Sequence, residues 1–433
     1  MTLIIIGYKI KSTYYLDENM TTNLIKRTSL EEISRYLPTD DIIVIHGARQ
    51  VGKTSILMVL QDNLIAQGNQ VHYLDLEDSR YVSMINKGVD EFLKYLKEEG
   101  FNLEVFQQNQ KKLFVMIDEI QYLENPSSFL KLLADHHRYL KLIVSGSSSF
   151  EMKSKFKDSL VGRTVNFEIY PLSFEEFLWF KGVAFVPGAD FTEKKIAELQ
   201  SLYLEFALYG GYPKIVLTDD ISIKEKYLQQ IIDTYIRKDI RDLADIKDVN
   251  KFNQMVEMLA SQSGNLLNIA EISNTCNLAR QTVERYLFLL EQTYVLRLVR
   301  PFSRNLRTEL TKTPKVFFYD TGLMQMLWLK TLQKKLLGAV FETSVFAELV
   351  KKFGRDSIHY WRTTEKREVD FVVQFPNHIL PIETKIHFPH TQPPALAGFV
   401  EAYNSLVEPS QPYRLVSLQG RVTGSGMIYP WQV

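Results

Sequence analysis

The sequence predicts an α/β protein. A parallel sheet flanked by helices comes first, then a helical middle, then a second, smaller α/β unit. Three observations predict this. The glycine-rich octapeptide Gly47-Ala48-Arg49-Gln50-Val51-Gly52-Lys53-Thr54 sits between a short apolar run and a helical start. More short apolar runs alternate with helical patterns along the next hundred or so residues, the order that builds parallel sheets. Near the C-terminal end, two strand-like segments flank a turn and carry acids.

The first strand is Asp41-Ile42-Ile43-Val44-Ile45, and Ser55-Ile56-Leu57-Met58-Val59-Leu60 starts the helix after it. The octapeptide between them matches G-x-x-x-x-G-K-[ST], the phosphate-binding P-loop. Its glycines let the loop curl until the backbone N–H groups of Gly47 to Ser55 face phosphate oxygens. The helix N-terminus adds partial positive charge. Lys53 is placed to reach the β- and γ-phosphates of ATP, and Thr54 to ligate Mg²⁺. Val71-His72-Tyr73-Leu74-Asp75-Leu76 is a further strand.

Leu113-Phe114-Val115-Met116-Ile117 is a buried strand that ends in Asp118-Glu119. Binding sites of open α/β sheets form at that edge. Asp118 reads as the acid on the Mg²⁺ side and Glu119 as the base that polarises the attacking water. The other reading is an acidic pair that caps a helix. Leu140-Lys141-Leu142-Ile143-Val144 leads into Ser145-Gly146-Ser147-Ser148. Either Ser145 or Ser147 senses the γ-phosphate, or both are ordinary turn hydroxyls. The fifth strand is Val165-Asn166-Phe167-Glu168-Ile169. Arg163 before it is either a surface arginine or one that reaches a neighbouring subunit's γ-phosphate. The second reading makes the protein a homo-oligomer.

A chain of 433 residues that is 45% hydrophobic has material for two to four domains. Its 51 basic and 51 acidic residues balance, so no global basic field draws it to nucleic acid. Any such contact must come from local patches. The single cysteine, Cys276, excludes an intrachain disulfide and fits a reducing cytoplasm. No apolar run approaches the roughly eighteen residues that span a bilayer. Thr2-Leu3-Ile4-Ile5-Ile6 is too short for a signal peptide. A cytoplasmic protein without a membrane partner is expected.

Ser173, in Tyr170-Pro171-Leu172-Ser173-Phe174-Glu175-Glu176-Phe177, is a good N-cap, with Glu176 at the capping-box position. Helical patterns run on to about residue 262, broken at Gly210-Gly211-Tyr212-Pro213, and read as a lid on the nucleotide site. The charged segment Tyr235 to Asp242 faces solvent or a subunit interface. Asn268 to Ser273, a turn at Asn277-Leu278, a helix from Ala279 to Leu290 and a strand from Tyr294 to Val299 have the order of a winged helix-turn-helix. Arg280, Gln281 and Thr282 begin its recognition helix. With Arg285 and Arg304 they are the expected DNA contacts. Arg300, Arg307, Lys312 and Lys315 extend a basic strip opposed by Glu309 alone. Winged helices also serve as protein-binding modules, and that reading stays open.

Asp370 lies on a strand, Pro376-Asn377-His378 makes a turn, and Glu383-Thr384-Lys385 follows. Metal-dependent nucleases of the PD-(D/E)XK type use Asp, a hairpin, then Glu-x-Lys. Glu342, upstream on a helix, completes the set. Glu342, Asp370 and Glu383 would converge on a divalent metal while Lys385 orients water. The alternative is a degenerate copy that serves as a docking module.

Taken together the chain resembles the AAA-type archaeal and bacterial ATPases whose C-terminal half is a domain of unknown function. The resemblance rests on Gly47 to Thr54, Asp118-Glu119-Ile120-Gln121 and Gly146-Ser147-Ser148. It continues through Leu160-Val161-Gly162-Arg163, Pro171 to Phe177, Gly210 to Pro213, and the Glu342, Asp370 and Glu383-x-Lys385 set. It implies a P-loop AAA-type core over 1–171, a helical lid over 172–262, a winged helix-turn-helix over 263–302 and a restriction-endonuclease-like domain over 303–433. The expected function is Mg²⁺-dependent ATP hydrolysis coupled to DNA binding, with cleavage an open extension. The alternative is an ATP-driven oligomeric switch, or a protein-remodelling ATPase with an inactive docking module.

Overall fold

The computed structural model describes residues 25–146, 160–240, 246, 248–303 and 313–433. Ser147, Ser148, Arg241, Asp242, Arg304, Arg307, Glu309, Lys312 and the segment Thr2 to Ile6 lie outside the described residues.

Five strands, β1 (Ile42–Gly47), β2 (Gln70–Asp75), β3 (Leu113–Asp118), β4 (Leu140–Gly146) and β5 (Thr164–Ile169), form one parallel sheet in the order β2-β3-β4-β1-β5. Each was anticipated by an apolar run. Six helices belong to this unit: α1 (Ser29–Arg35), α2 (Lys53–Ala66), α3 (Ser79–Asn86), α4 (Val89–Glu98), α5 (Leu103–Gln108) and α6 (Pro126–His136). Strands β1, β3 and β4 are buried along their whole length. Parallel sheets need cover on both faces, which explains why these strands read as unbroken apolar runs. Alternation divides their side chains. Ile43 and Ile45 pack with Leu57 and Leu60 of α2, whereas Ile42 and Val44 pack with Phe92 of α4 and Leu133 of α6. Because β4 lies between β1 and β3, the C-terminal ends of all three converge.

The helical middle comprises α7 (Phe174–Phe180), α8 (Glu193–Tyr209), α9 (Pro213–Val216), α10 (Ile221–Ile231), a π-helical continuation (Ile232–Asp239) and α11 (Val249–Ser261). The Ser173–Glu176 capping box is present as expected. The Gly210-Gly211 turn is glycine for a steric reason. A Cβ on Gly211 would stand 2.5 Å from the Leu172 carbonyl oxygen. The two backbones are that close because Leu172 N donates to Gly211 O at 2.7 Å. Asp320 takes the Gly211 N–H at 2.7 Å.

A helix pair, α12 (Ile269–Thr275) and α13 (Arg280–Gln292), leads into β6 (Leu296–Val299), which pairs antiparallel with β7 (Lys315–Phe318). Helix α14 (Thr321–Leu329) packs on α11 and α8. The expected break between 302 and 303 therefore falls inside a unit. A lone β6 would leave its ladder groups unpaired, and β7 supplies the partners from beyond the break.

The last unit holds α15 (Gly338–Phe353), β8 (Ile358–Arg362), β9 (Glu368–Gln374), β10 (Ile379–His387), α16 (Pro394–Ala402), β11 (Arg414–Gln419) and β12 (Met427–Ile428). Its mixed sheet runs β12-β11-β10-β9-β8, antiparallel through β8, β9 and β10 and parallel through β10, β11 and β12. One apolar cluster continues from Leu30 through the middle unit to Val433. No described helix is long and apolar enough to cross a membrane.

Candidate functional site

The P-loop leaves the sheet at Gly47. A Cβ there would lie 2.1 Å from the Ile169 carbonyl oxygen, so β1 approaches β5 too closely for any side chain. Gly52, at φ 97°, turns the loop into α2, which begins at Lys53. The Lys53 ammonium is buried and donates to the carbonyls of Gly47 at 3.2 Å and Ala48 at 2.9 Å. Burial pushes its pKa down, and the charges of Glu119 and Asp118 oppose that.

Asp118, at the end of β3, is only 2% exposed. Thr54 Oγ1 donates to its Oδ2 at 2.6 Å, and the Tyr73 hydroxyl to the same oxygen at 3.0 Å. On the other side Oδ1 accepts from the Ser145 hydroxyl and from Glu119 N at 3.1 Å. Burial pushes the Asp118 pKa up; the Thr54 bond pulls it back, the Glu119 charge raises it, and the Tyr73 bond lowers it. Ser145 thus comes to the phosphate side of the sheet, as one of the two expected sensing hydroxyls. Glu119 follows in the left-handed region, at φ 55°. For a residue with a Cβ that conformation costs about 1–2 kcal/mol. Gln121 Nε2 donates to Glu119 Oε2 and holds the carboxylate at the rim of the site. Arg49 and Gln50 form the loop's outer turn, with Gln50 at φ 61°.

Arg27 was not read from the sequence. It is 6% exposed and reaches three places: Glu176 Oε1 at 2.9 Å, the Val51 carbonyl inside the P-loop at 2.6 Å and the Tyr170 carbonyl at 2.9 Å. Glu176, expected only as a capping residue, is therefore also a buried ion-pair partner. Next to this strap is a cavity of about 160 Å³, lined by Ile25, Leu30, Ile56, Val59, Phe180 and Pro213 among others. Its walls come from the segment before β1, from α2 and from the lid. A lone arginine and scattered apolar residues carry no local pattern, so no sequence signal marked them.

Arg163 does not join this chain's own site. Its carbonyl accepts from Ile42 N at the start of β1, the sheet edge opposite the P-loop, and its guanidinium pairs with Asp135 at 2.7 Å. Behind the P-loop strand lies a buried polar cluster. His46 Nδ1 meets the Tyr294 hydroxyl at 2.5 Å, and that hydroxyl donates to Glu168 Oε1 at 3.3 Å. Arg355 pairs with the same oxygen at 2.9 Å, and Tyr170 donates to Glu168 Oε2 at 2.5 Å.

In the last unit the fold brings the expected acids to one place. The β9–β10 register pairs Phe371 with Ile382, which sets Asp370 beside Glu383 and Thr384. Asp370 Oδ2 accepts from Thr384 N at 2.8 Å and Thr384 Oγ1 at 2.7 Å. Lys385 folds onto Glu383 at 2.6 Å. Burial, then the Asp370 charge, pushes Glu342 up to about 8 and Glu383 up to about 7. Lys315 corrects one expectation. It is no part of a surface strip. It is buried and ion-paired to Glu342 at 3.2 Å and Glu368 at 2.6 Å. Among the described residues no group of three His, Cys, Asp or Glu side chains is set to hold a metal ion. The acids face lysines here.

On α13, Arg280, Gln281 and Arg285 are exposed and Thr282 is half-buried. Arg280 pairs with Glu284 of its own helix at 3.0 Å.

Residues 39–178 match a family model described as AAA domain. Residues 200–335 and 337–430 match two domains of unknown function, DUF8612 and DUF4143. An uncharacterized protein of Haemophilus influenzae is 27% identical over 383 residues, covering 86% of this chain and 89% of its own. One from Methanocaldococcus jannaschii is 29% identical over 354 residues, covering 79% and 74%. Among solved structures, Cdc6p from Pyrobaculum aerophilum is 12% identical, covers 68% of this chain and 92% of its own, and has a TM-score of 0.31. Likeness at that level says nothing about what this chain binds.

Proposed function

We propose that the P-loop site binds ATP with Mg²⁺ and hydrolyses it. The observation that carries this reading is the meeting of Thr54 and Asp118 at 2.6 Å beside a buried Lys53. A hydroxyl and a carboxylate are the hard oxygen donors that Mg²⁺ selects, so the residues present fit the cation. Gly47 to Ser55 would cradle the phosphates, and Lys53 would neutralise them. Thr54 and Asp118 would hold the cation, which supplies charge neutralisation at the phosphates when bound. Glu119 takes the proton of the attacking water, and Ser145 reports the γ-phosphate. The cavity beside Arg27 takes the base. Its apolar walls suit a flat ring, and its third wall is the lid, so base binding draws core and lid together.

We further propose a cytoplasmic homo-oligomer in which Arg163 serves the neighbour's site, and coupling of nucleotide state to DNA through α12 and α13. Arg280, Gln281, Thr282, Arg285 and Arg304 would make the contacts. Cleavage at Glu342, Asp370, Glu383 and Lys385 is the active form of this reading. A specific observation favours the rival. Lys315 and Lys385 already neutralise the acids, which suits an inactive docking module on an ATP-driven switch or remodeller.

The test is nucleotide binding and turnover by the full chain, with and without DNA, with a nuclease gel on the same samples. Lys53→Ala is expected to abolish binding, and Glu119→Gln to hold ATP without turnover. Hydrolysis by Glu119→Gln at the parent rate would remove Glu119 from its role. Turnover indifferent to DNA, with no cutting, favours the switch or remodeller.

A further inference from the structure

We infer that Tyr73 is a positioning residue for the cation site, acting through Asp118; the inference rests on the ATP reading above. Tyr73 lies on β2, the sheet's edge strand, one strand away from the acid. The register pairs Asp75 with Asp118 and Tyr73 with Met116. Residues two apart on a strand share a face, so Tyr73 stands on the Asp118 side of the sheet. Its hydroxyl reaches Oδ2 at 3.0 Å, the oxygen that also accepts from Thr54.

The two donors on that oxygen have different fates. The Thr54 hydroxyl belongs to the metal-binding set and cannot both ligate a cation and cap the carboxylate as it does here. Tyr73 has no other assigned task. It stays on Oδ2 and keeps the carboxylate plane fixed, while Ser145 and Glu119 N hold Oδ1. A buried carboxylate oxygen left without a donor is costly. Burial and the neighbouring Asp118 charge push the Tyr73 phenol above its ordinary range, so it remains an O–H donor throughout neutral pH.

The experiment is equilibrium binding of a non-hydrolysable ATP analogue to the full chain, in EDTA and across a Mg²⁺ titration. In Tyr73→Phe the EDTA affinity is expected to stay at the parent value while half-saturation by Mg²⁺ rises about fivefold, the loss of one hydrogen bond. Tyr73→His, which keeps a donor, restores part of that shift. Tyr73→Leu carries the test if Tyr73→Phe does not fold. Mg²⁺ half-saturation within twofold of the parent in the hydroxyl-free variants overturns the inference, as does an equal loss of affinity in EDTA. Failure of the parent itself to bind nucleotide overturns the ATP reading instead, and Lys53→Ala is the control that separates the two.

Discussion

Arg27→Met removes the strap between the P-loop and the lid without removing much bulk. The methionine keeps the apolar stem but loses the ion pair to Glu176 and the bonds to the Val51 and Tyr170 carbonyls. Glu176, 3% exposed, would keep only Thr28 and Ser173 as donors. Removing one partner of a buried pair costs about 3–5 kcal/mol. The double variant Arg27→Met/Glu176→Met should recover much of this, because no buried charge is then left alone. The pH dependence reverses sign. In the parent, burial alone would raise Glu176, but the Arg27 charge and bonds outweigh it and hold the carboxyl below its ordinary 4.5. A depressed acid contributes stability above pH 4.5 and loses it as pH falls through the folded value. Without Arg27, burial raises the acid instead, and its contribution becomes a penalty that grows as pH rises past 4.5. The variant's deficit should therefore shrink on acidification. Urea denaturation at pH 7.5 and pH 5 measures it. A deficit under about 1 kcal/mol at pH 7.5, or one that is equal at both pH values, refutes the reasoning.

Gly211→Ala drives a Cβ toward the Leu172 carbonyl and should cost at least about 1–3 kcal/mol, read as a lower thermal midpoint; an unchanged midpoint would show that this turn can relax. In the acidic cluster, Glu342 and Glu383 sit at about 8 and about 7, so the native state keeps protons that the unfolded chain gives up above pH 4.5. Their contribution to stability falls as pH rises from 4.5 through those values. If the cluster is a metal site, Mn²⁺ competes with these protons and raises the thermal midpoint more at pH 8 than at pH 6. No Mn²⁺ effect at pH 8, with Asp370→Ala behaving like the parent, leaves the docking module.

What the sequence disclosed was contiguous. The P-loop, Asp118-Glu119, the five buried runs and the Ser173 cap are each written within a few residues, where spacing and burial period suffice. What it hid depends on distant register. Arg27 and Glu176 are 149 positions apart. Tyr73 meets Asp118 only because β2 pairs with β3. Lys315 read as one more base in a basic run until β7 paired with β6 and carried it inward. The acids of the last unit were legible as a set, but their neutralising lysine was not, because charge type alone does not say which way a side chain turns.

The cluster of His46, Glu168, Tyr170, Tyr294 and Arg355 bears on how such a protein can be inherited. Its members come from all three segments that the family models treat as separate: the first, ending at 178, the second, ending at 335, and the third, ending at 430. Recombination at those joints would leave half of the cluster behind, with Glu168 stripped of Arg355 and His46 of Tyr294. A relative that exchanges its C-terminal unit must bring a compatible tyrosine and arginine with it. A fragment cut at residue 178 would expose both this charge and the apolar face around it. The three segments travel as one heritable part, even where their sequences read as three.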